Sequence, residues 1–256
     1  MIDAHVHVWR IGAHGCSWPG SDLPALYRDF TLSDYRRATG QVEGVLLVQS
    51  QPAAADTQWL LGLEDPLIAG IVGWADLAAP DALQQVAALA AQPCLKGLRP
   101  MVQDLAADWY DHANDAALAA MAAQGLVLDA LIRPQHLDAL ARLAVRHPDL
   151  AIVIDHAAKP DSAGFDSWKR AIDSIARHAN VHCKLSGLVT ESAEIAAVAE
   201  LLWHAFGPGR LLWGSDWPVI TLAASLSDWL EMSRSLIPAE HHDAVFGANA
   251  RRLYRL

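Results

Sequence analysis

Eight short apolar segments alternate with helical segments along the whole chain. The apolar segments are rich in Val, Ile and Leu, which is typical of strands buried on both faces of a parallel sheet. They cover residues 2–8, 44–50, 69–76, 94–99, 126–131, 150–156, 181–186 and 210–216. Helical spacing marks residues 82–91, 113–124, 134–147, 165–178, 191–206 and 222–236, and less clearly 34–38 and 53–63. Eight strand–helix units predict an α/β fold, a closed (β/α)8 TIM barrel.

An open, doubly wound sheet is the competing fold. Such a sheet would carry a glycine-rich phosphate-binding turn after its first strand, and residues 8–12, Val-Trp-Arg-Ile-Gly, do not form one. A length of 256 residues fits one barrel. The sequence has no internal repeat and no linker-like segment, so we predict a single barrel domain over residues 1–256.

Composition and charge exclude several classes of protein. The chain is 53% hydrophobic, and its formal net charge of −10 with no Lys/Arg cluster opposes nucleic-acid binding. No apolar run reaches the roughly 18–20 residues of a membrane helix. The cysteines Cys16, Cys94 and Cys183 are widely spaced, and the N-terminal residues lack a signal-peptide pattern. We therefore expect a cytoplasmic protein with a small-molecule substrate, and its oligomeric state stays open.

His5 and His7 lie two residues apart on the first predicted strand, so their side chains point to the same face. With Val6 and Val8 facing the helices, that face is the barrel interior. Two imidazoles at this spacing can bind one metal ion, such as zinc. The structural alternative is a pair of buried, hydrogen-bonded histidines, and pairing on an inward face favours the metal.

Asp216 ends the eighth predicted strand on the same face as Leu212 and Gly214. A carboxylate at this position must be hydrated, paired or bound to a metal. It could instead cap the next helix, but Trp217 and Pro218 separate it from that helix. We therefore expect Asp216 to be catalytic.

The sixth and fourth predicted strands also end in polar residues. Because adjacent strand residues point to opposite faces, Asp155 and His156 cannot both face the interior, and we expect His156 inward. Arg99 could hold a substrate carbonyl or carboxylate, or pair with Asp104. Lys184 is a further inward cation for the substrate. Tryptophans that could line the pocket, or equally pack in the core, are Trp18, Trp74, Trp109 and Trp217.

The ordered set of these segments resembles the amidohydrolase superfamily, and within it the amidohydrolase-2 group of lactonases that hydrolyse sugar-acid lactones. The matching segments are residues 2–9, 28–30, 48–49, 70–77, 96–99, 155–160, 184–188, 213–218 and 249–254. They run from end to end of the chain. The His-x-His pair alone is a weak motif, whereas this ordered series is specific.

The resemblance implies roles for four residues. His5 and His7 are similar to the metal ligands on the first strand of that superfamily. His156 is similar to its sixth-strand histidine. Asp216 is similar to the eighth-strand aspartate, which takes a proton from the attacking water.

Two departures from the superfamily count against a two-metal site. Binuclear members carry a modified lysine or a glutamate on strand four and a histidine on strand five. Here strand five offers Asp129 and no histidine, and Lys96 is the only candidate on strand four. Lys96 precedes Arg99 by three residues, so the two side chains should point to opposite faces. We expect at most one divalent ion, with zinc as the first candidate.

These residues predict hydrolysis of a 1,4- or 1,5-lactone of a sugar acid. Asp216 acts as the general base toward water. A divalent ion held by His5, His7 and Asp216 polarises the carbonyl oxygen, or Arg99 with His156 does so if no metal is bound.

Three alternatives stay open from the sequence. The first is hydrolysis of a non-sugar lactone, such as a muconolactone or a pyrone carboxylate, which would favour more loop cations than Arg99, Arg10 and Arg28. The second is decarboxylation of a small aromatic or unsaturated acid. The third is a catalytically silent barrel that binds a sugar acid.

Overall fold

Aliphatic residues build eight short strands that pair in parallel. A computed structural model describes residues 1–40, 42–192 and 194–256. The strands are β1 (Ile2–Val6), β2 (Gly44–Val48), β3 (Ile68–Gly73), β4 (Leu95–Leu98), β5 (Val127–Ala130), β6 (Ile152–Ile154), β7 (Val181–Leu185) and β8 (Leu211–Trp213). They lie in sequence order within one sheet.

The sheet closes where the segment after β8 meets β1. Val6 and Trp217 form a parallel bridge. The amide of Asp216 donates to the His5 carbonyl at 2.9 Å, and the amide of His7 donates to the Trp217 carbonyl at 2.7 Å. The predicted TIM barrel is confirmed, and its closure brings the ends of the first and eighth strands side by side.

Helices surround the sheet. Within the described residues the α-helices are α1 (Leu32–Ala38), α2 (Ala54–Leu61), α3 (Ala82–Ala90), α4 (Asp115–Gln124), α5 (Leu137–Arg146), α6 (Phe165–Ile175), α7 (Leu188–Glu191), α8 (Ile195–Phe206), α9 (Leu226–Leu236) and α10 (Asn249–Tyr254). None of these helices, over the part of the chain described, is long and apolar enough to cross a bilayer.

One predicted helix is wrong in its extent. The segment 191–206 contains the end of α7 and all of α8 rather than a single helix, because Ser192 has extended backbone angles and ends α7. Ala193, which the predicted helix included, lies outside the described residues. The short helices predicted least clearly, at 34–38 and 53–63, are both present as α1 and α2.

All eight strands end earlier than the sequence predicts. β1, β4, β6 and β8 stop one to three residues before the predicted ends at 8, 99, 156 and 216. His7, Arg99, His156 and Asp216 therefore lie just beyond the strands, in the loops at their carboxyl ends. Loops at this end of a TIM barrel are where its active sites are found.

The barrel interior holds an apolar cluster separate from the core between strands and helices. This interior apolar layer consists of Ile2, Ala4, Leu46, Val48, Val72, Val127, Val153 and Leu212, with Ala250 and Tyr254 of α10 packed against it. On several strands a member of the layer comes one or two residues before a polar residue, as Ala4 comes directly before His5 and Val127 two residues before Asp129. The layer therefore lies beneath a polar one that faces the carboxyl ends of the strands.

Candidate active site

His5 and His7 turn into the barrel at the end of β1, as predicted. Their Nε2 atoms lie 3.1 Å apart, and both side chains are buried. The Nδ1 atom of His7 is 2.7 Å from the carbonyl oxygen of Val48, so Nδ1 carries the proton and donates it. The Nε2 lone pair of a neutral His7 therefore points into the site.

Asp216 joins these histidines from the other side of the barrel closure. Its Oδ1 atom lies 3.4 Å from His7 Nε2 and 3.7 Å from His5 Nε2. Burial alone would raise the pKa of the Asp216 carboxyl, but the nearby imidazoles of His156, His5 and His7 hold that pKa below its ordinary value. The carboxylate is therefore ionised at neutral pH.

Two backbone features place the Asp216 carboxylate. Asp216 has φ of 58°, in the left-handed region that non-glycine residues rarely adopt. Gly214 leaves room for His5, because a Cβ at position 214 would lie 2.7 Å from the Cβ of His5. The segment after β8 can therefore approach β1 closely because Gly214 has no side chain and Asp216 adopts a strained backbone conformation.

The prediction that Asp155 faces outward is wrong. β6 ends at Ile154, and His156 has φ of 52° in the left-handed region, so the alternation of side chains along a strand no longer applies. Both Asp155 and His156 turn into the barrel. Asp155 is fully buried, and its Oδ1 lies 3.5 Å from His5 Nδ1.

His156 reaches the site as predicted. Its Nε2 lies 3.9 Å from Asp216 Oδ1, and its Nδ1 shares a 2.8 Å hydrogen bond with the hydroxyl of Ser186. A Cβ at Gly187 would lie 2.5 Å from His156 Nδ1, so glycine is required beside this ring. Burial lowers the pKa of His156, against the opposing effect of Asp216.

Arg99 borders the site from the end of β4. Its Nη1 lies 3.5 Å from Asp155 Oδ2, and its Nη2 donates to the carbonyl of Gln49. Its Nε is buried with no hydrogen-bond partner among the described residues. The alternative ion pair with Asp104 is not the one observed, since Asp104 pairs with Arg133 at 3.5 Å.

Lys184 lies too deep to contact a substrate, which corrects its predicted role. It points inward as expected, but it has no exposed surface and pairs with Asp129 and, at 3.1 Å, with Asp155. Burial alone would lower the pKa of Lys184, but the two carboxylates raise it above its ordinary value. The predicted and observed roles differ because of the depth of Lys184 in the barrel. Lys184 comes one residue before the end of β7 and lies below His5, with its Nζ 3.2 Å from His5 Nδ1.

Lys96 takes no part in this cluster. Its Nζ donates to the carbonyl of Arg255 at 3.4 Å, near the end of the chain. Lys96 and Arg99 are therefore well separated. No strand-four lysine or strand-five histidine stands beside His5 in the described residues, where Lys184 and Arg99 bring positive charge instead.

A cavity of about 270 Å³ opens above the cluster. It is lined by His7, Trp18, Ser50, Arg99, Met101, Gln103, Asp104, Leu131, His156, Lys159, Glu191, Asp216 and Val219. Of the four tryptophans predicted as lining candidates, only Trp18 is among these described lining residues. Trp217 packs edge-on against Phe30, and Trp74 and Trp109 are not among these lining residues, which favours the packing alternative for the three. They belong to loops and turns whose course the sequence does not give.

Several residues of the site were missed from the sequence. Ser50 lies two residues after β2 and Ser186 directly follows β7, so the rule that functional side chains follow barrel strands could have found them. Lys159, just after β6, and Glu191, the last residue of α7, form a 2.7 Å ion pair at the cavity wall. No local pattern signals that contact.

The donor set of His5, His7 and Asp216 suits a divalent metal ion. One nitrogen of each histidine and one carboxylate oxygen lie within 4.8 Å of one another, and all three residues are buried. Two imidazoles and one carboxylate are a common ligand set for zinc and similar ions. The hydrogen bond from His7 Nδ1 to Val48 fixes the ring with Nε2 available, as metal-binding histidines usually require.

Known proteins resemble this chain over its whole length. A family model described as Amidohydrolase matches residues 2–256. The chain is 42% identical over 277 residues to an L-fucono-1,5-lactonase from Burkholderia ambifaria, a match that covers 100% of this chain and 95% of that protein. It is 33% identical over 286 residues to an L-fucono-1,5-lactonase from Burkholderia multivorans, covering 100% and 96%.

Solved structures give the same result. Two crystal structures of an amidohydrolase from Burkholderia multivorans, one with HEPES bound and one with zinc bound, match with TM-scores of 0.90 and 0.89. Each is 33% identical and covers 100% of this chain and 99% of the other. The resemblance drawn from the sequence is confirmed, and this chain belongs to the amidohydrolase family.

Proposed function

We propose that this protein hydrolyses the lactone ring of a sugar acid, with L-fucono-1,5-lactone as the first substrate to test. The observation that carries the proposal is the meeting of His7, His156 and Asp216 in one small cavity. A cavity of about 270 Å³ suits a single small ring rather than an oligosaccharide. The two curated relatives named for this activity support the choice.

Asp216 is the general base in this proposal. Its ionised carboxylate takes a proton from the water that attacks the lactone carbonyl carbon. The bond between that carbon and the ring oxygen breaks, and the proton passes to the departing oxygen, which becomes a hydroxyl group. A lactone is a reactive ester, so one base and one polarising group are sufficient.

Zinc is the ion we propose for His5, His7 and Asp216. When bound, such an ion polarises a carbonyl oxygen. Arg99 and His156 lie beside this donor set and orient the substrate carbonyl. The zinc-bound relative from Burkholderia multivorans supports the choice of metal.

The charges around the cavity favour a neutral substrate over a dicarboxylate. The lining carboxylates are Asp104, Glu191 and Asp216. The two lining cations are already engaged, Arg99 with buried acceptors and Lys159 with Glu191. Beyond the proposed zinc, a pyrone dicarboxylate would find no free lining cation among the described residues for its second carboxylate, whereas the hydroxyl groups of a sugar lactone can donate hydrogen bonds to Asp104 and Glu191.

A lactone panel with a pH indicator tests the proposal. Sugar 1,4- and 1,5-lactones, a muconolactone and a pyrone dicarboxylate are compared, each with added zinc and with a chelator. We expect the fastest acid release from a sugar lactone, and a lower rate in chelator.

Other outcomes of the panel identify the alternatives. Fastest turnover of the pyrone dicarboxylate or muconolactone would replace the sugar lactone as substrate. Carbon dioxide release from small aromatic acids without acid release from any lactone would indicate a decarboxylase. Binding of sugar acids without turnover would indicate a silent barrel.

The proposed setting is the cytoplasm, with one catalytic domain over residues 1–256. The three cysteines Cys16, Cys94 and Cys183 are free thiols, which supports a reducing compartment. Lactonase activity is to be measured in separated periplasmic and cytoplasmic fractions, and equal activity in the two fractions would contradict this location.

A further inference from the structure

His5 has a different set of neighbours at each ring nitrogen. Its Nδ1 faces Lys184 Nζ at 3.2 Å and Asp155 Oδ1 at 3.5 Å. Its Nε2 faces His7 Nε2 at 3.1 Å and Arg99 Nη1 at 3.4 Å. One neighbour of Nδ1 can only donate a hydrogen bond and the other can only accept one, so the position of the His5 proton depends on which is used.

In the protein without a metal, the hydrogen bonds of His7 determine which ring nitrogen of His5 carries the proton. A neutral His7 carries its proton on Nδ1, because Nδ1 donates to the Val48 carbonyl. The 3.1 Å contact between the two Nε2 atoms is then a hydrogen bond only with the proton of His5 on Nε2, and Arg99 Nη1, which lies 3.4 Å from the same nitrogen, donates to Asp155 Oδ2 at 3.5 Å instead. His5 Nδ1 is left as an acceptor, and Lys184 Nζ donates to it.

This arrangement cannot bind a metal ion through His5 Nε2, because a protonated nitrogen has no free lone pair. The proton has to move to Nδ1, where it needs an acceptor. Asp155 Oδ1 fulfils this need, since it is buried and has no hydrogen-bond partner among the described residues. Lys184 Nζ lies 3.1 Å from it as an ion pair.

We propose that Lys184 and Asp155 are positioning residues that select the tautomer of His5, Lys184 donating to Nδ1 in the metal-free protein and Asp155 accepting from Nδ1 in the metal-bound one. This inference rests on the proposed metal site. It concerns the residues beneath the site, which contact neither the metal nor the substrate.

The exchange balances in protons and charge. One proton leaves His5 Nε2 and one joins Nδ1, so the ring stays neutral. Lys184 stays an ammonium group, because its Nζ also donates to the Asp129 carboxylate. Asp129 is itself held by the hydroxyl of Tyr254, which donates to its Oδ1 at 2.8 Å. The ammonium thus has a fixed second partner when its bond to His5 is lost.

Nitrogen NMR of the wild-type protein with ¹⁵N-labelled histidine measures the tautomer directly. We expect the metal-free protein to show His5 with Nε2 protonated and Nδ1 bare. Added zinc should exchange the two, giving a protonated Nδ1 and a coordinated Nε2. His7 is the internal reference, since its Nδ1 stays protonated in both states.

Zinc affinity of an Asp155→Asn variant provides the second measurement. With its oxygen toward His5, the new amide places its NH2 group against Arg99 Nη1, and in the flipped orientation the NH2 group meets His5 Nδ1–H. We expect zinc affinity to fall about 10–100-fold. The matched control is Asp56→Asn, a buried carboxylate that accepts from the Ser50 amide, and its zinc affinity should stay unchanged.

Three results would overturn the proposal, and they separate it from the proposed function. Metal-free His5 already protonated on Nδ1 would remove the role of Lys184. Unchanged zinc affinity in Asp155→Asn would remove the role of Asp155 and leave the metal site intact. A wild-type protein that binds no zinc, cobalt or manganese would remove the metal site as well. If Asp155→Asn does not fold, the wild-type spectra still decide the tautomer.

Discussion

Two layers inside the same barrel are built from the same strands and are equally buried, yet they differ in chemistry. The interior apolar layer, which includes Val127 and Leu212, packs aliphatic side chains against one another. One step toward the carboxyl ends, the polar layer contains His5, Lys184 and Asp155 with almost no exposure to water. Such a layer costs free energy to bury unless every charge has a partner.

The difference shows that height along the strand, and not burial, separates the two roles. The apolar layer stabilises the fold by removing carbon surface from water. The polar layer costs stability and holds Asp216, His5 and His7 at fixed distances. Strand β8 and the residues after it cross both layers, with Leu212 below, Gly214 at the contact with His5, and Asp216 at the cavity. Substitutions along this one segment therefore test the comparison.

The largest effect is expected from Asp216→Asn. Loss of the general base should lower kcat for lactone hydrolysis about 10²–10⁴-fold. The matched control is Asp76→Asn, an exposed carboxylate after β3, which should leave kcat unchanged. Full activity in Asp216→Asn would remove Asp216 from the mechanism, and loss of activity only through unfolding would make it a structural group.

In contrast to Asp216→Asn, Leu212→Ala should lower the stability of the fold and leave catalysis unchanged. Truncating this fully buried side chain should lower the free energy of unfolding by about 2–5 kcal/mol, because it leaves a cavity in the apolar layer. The value of kcat/KM in the folded protein should stay close to wild type. Urea unfolding and lactone kinetics check the two quantities, and a large fall in kcat/KM would mean that the layers are not independent.

Gly214→Ala should affect both layers at once. The added Cβ would lie 2.7 Å from the His5 Cβ, and relief of this overlap should cost about 1–3 kcal/mol of unfolding free energy. Because His5 must shift, we expect zinc affinity to fall as well. Gly209→Ala is the control, since a Cβ there meets nothing within 4 Å. Equal behaviour of the two variants would contradict the close approach of β8 to β1.

The smallest effect concerns His182, two residues before Lys184 on β7. Burial lowers its pKa to about 4, and Arg210 and Arg252 act in the same direction. The folded state therefore disfavours the protonated ring, and stability present above the ordinary pKa of 6.5 is lost as the pH falls toward 4. At pH 5.5 the loss is about 1 kcal/mol. His182→Asn should lack this loss in urea unfolding between pH 7.5 and 5.5, and an equal loss in both proteins would exclude His182 as its source.

The sequence predicts the fold and the strand-end residues well where regular geometry continues. Parallel strands alternate their side chains and end at one face of a barrel, so His5, His7 and Asp216 could be placed together without coordinates. The eightfold alternation of segments identified the barrel for the same reason.

The sequence fails where the backbone leaves that regular geometry. Asp155 was expected outside because alternation was carried past Ile154, where the strand ends and His156 takes a left-handed conformation. The sequence predicts a substrate role for Lys184 because it shows the direction of the side chain but not its depth in the barrel. Long-range contacts, such as that between Lys159 and Glu191, have no local signal.

A crystal structure with zinc and L-fuconate, the hydrolysis product of L-fucono-1,5-lactone, tests the central claim most directly. We predict zinc on His5, His7 and Asp216, and the product in the cavity with its carboxylate in hydrogen-bond contact with His156 or Arg99. A product bound outside this cavity, or a metal ion bound at other residues, would contradict the assignment of the polar layer as the site of hydrolysis.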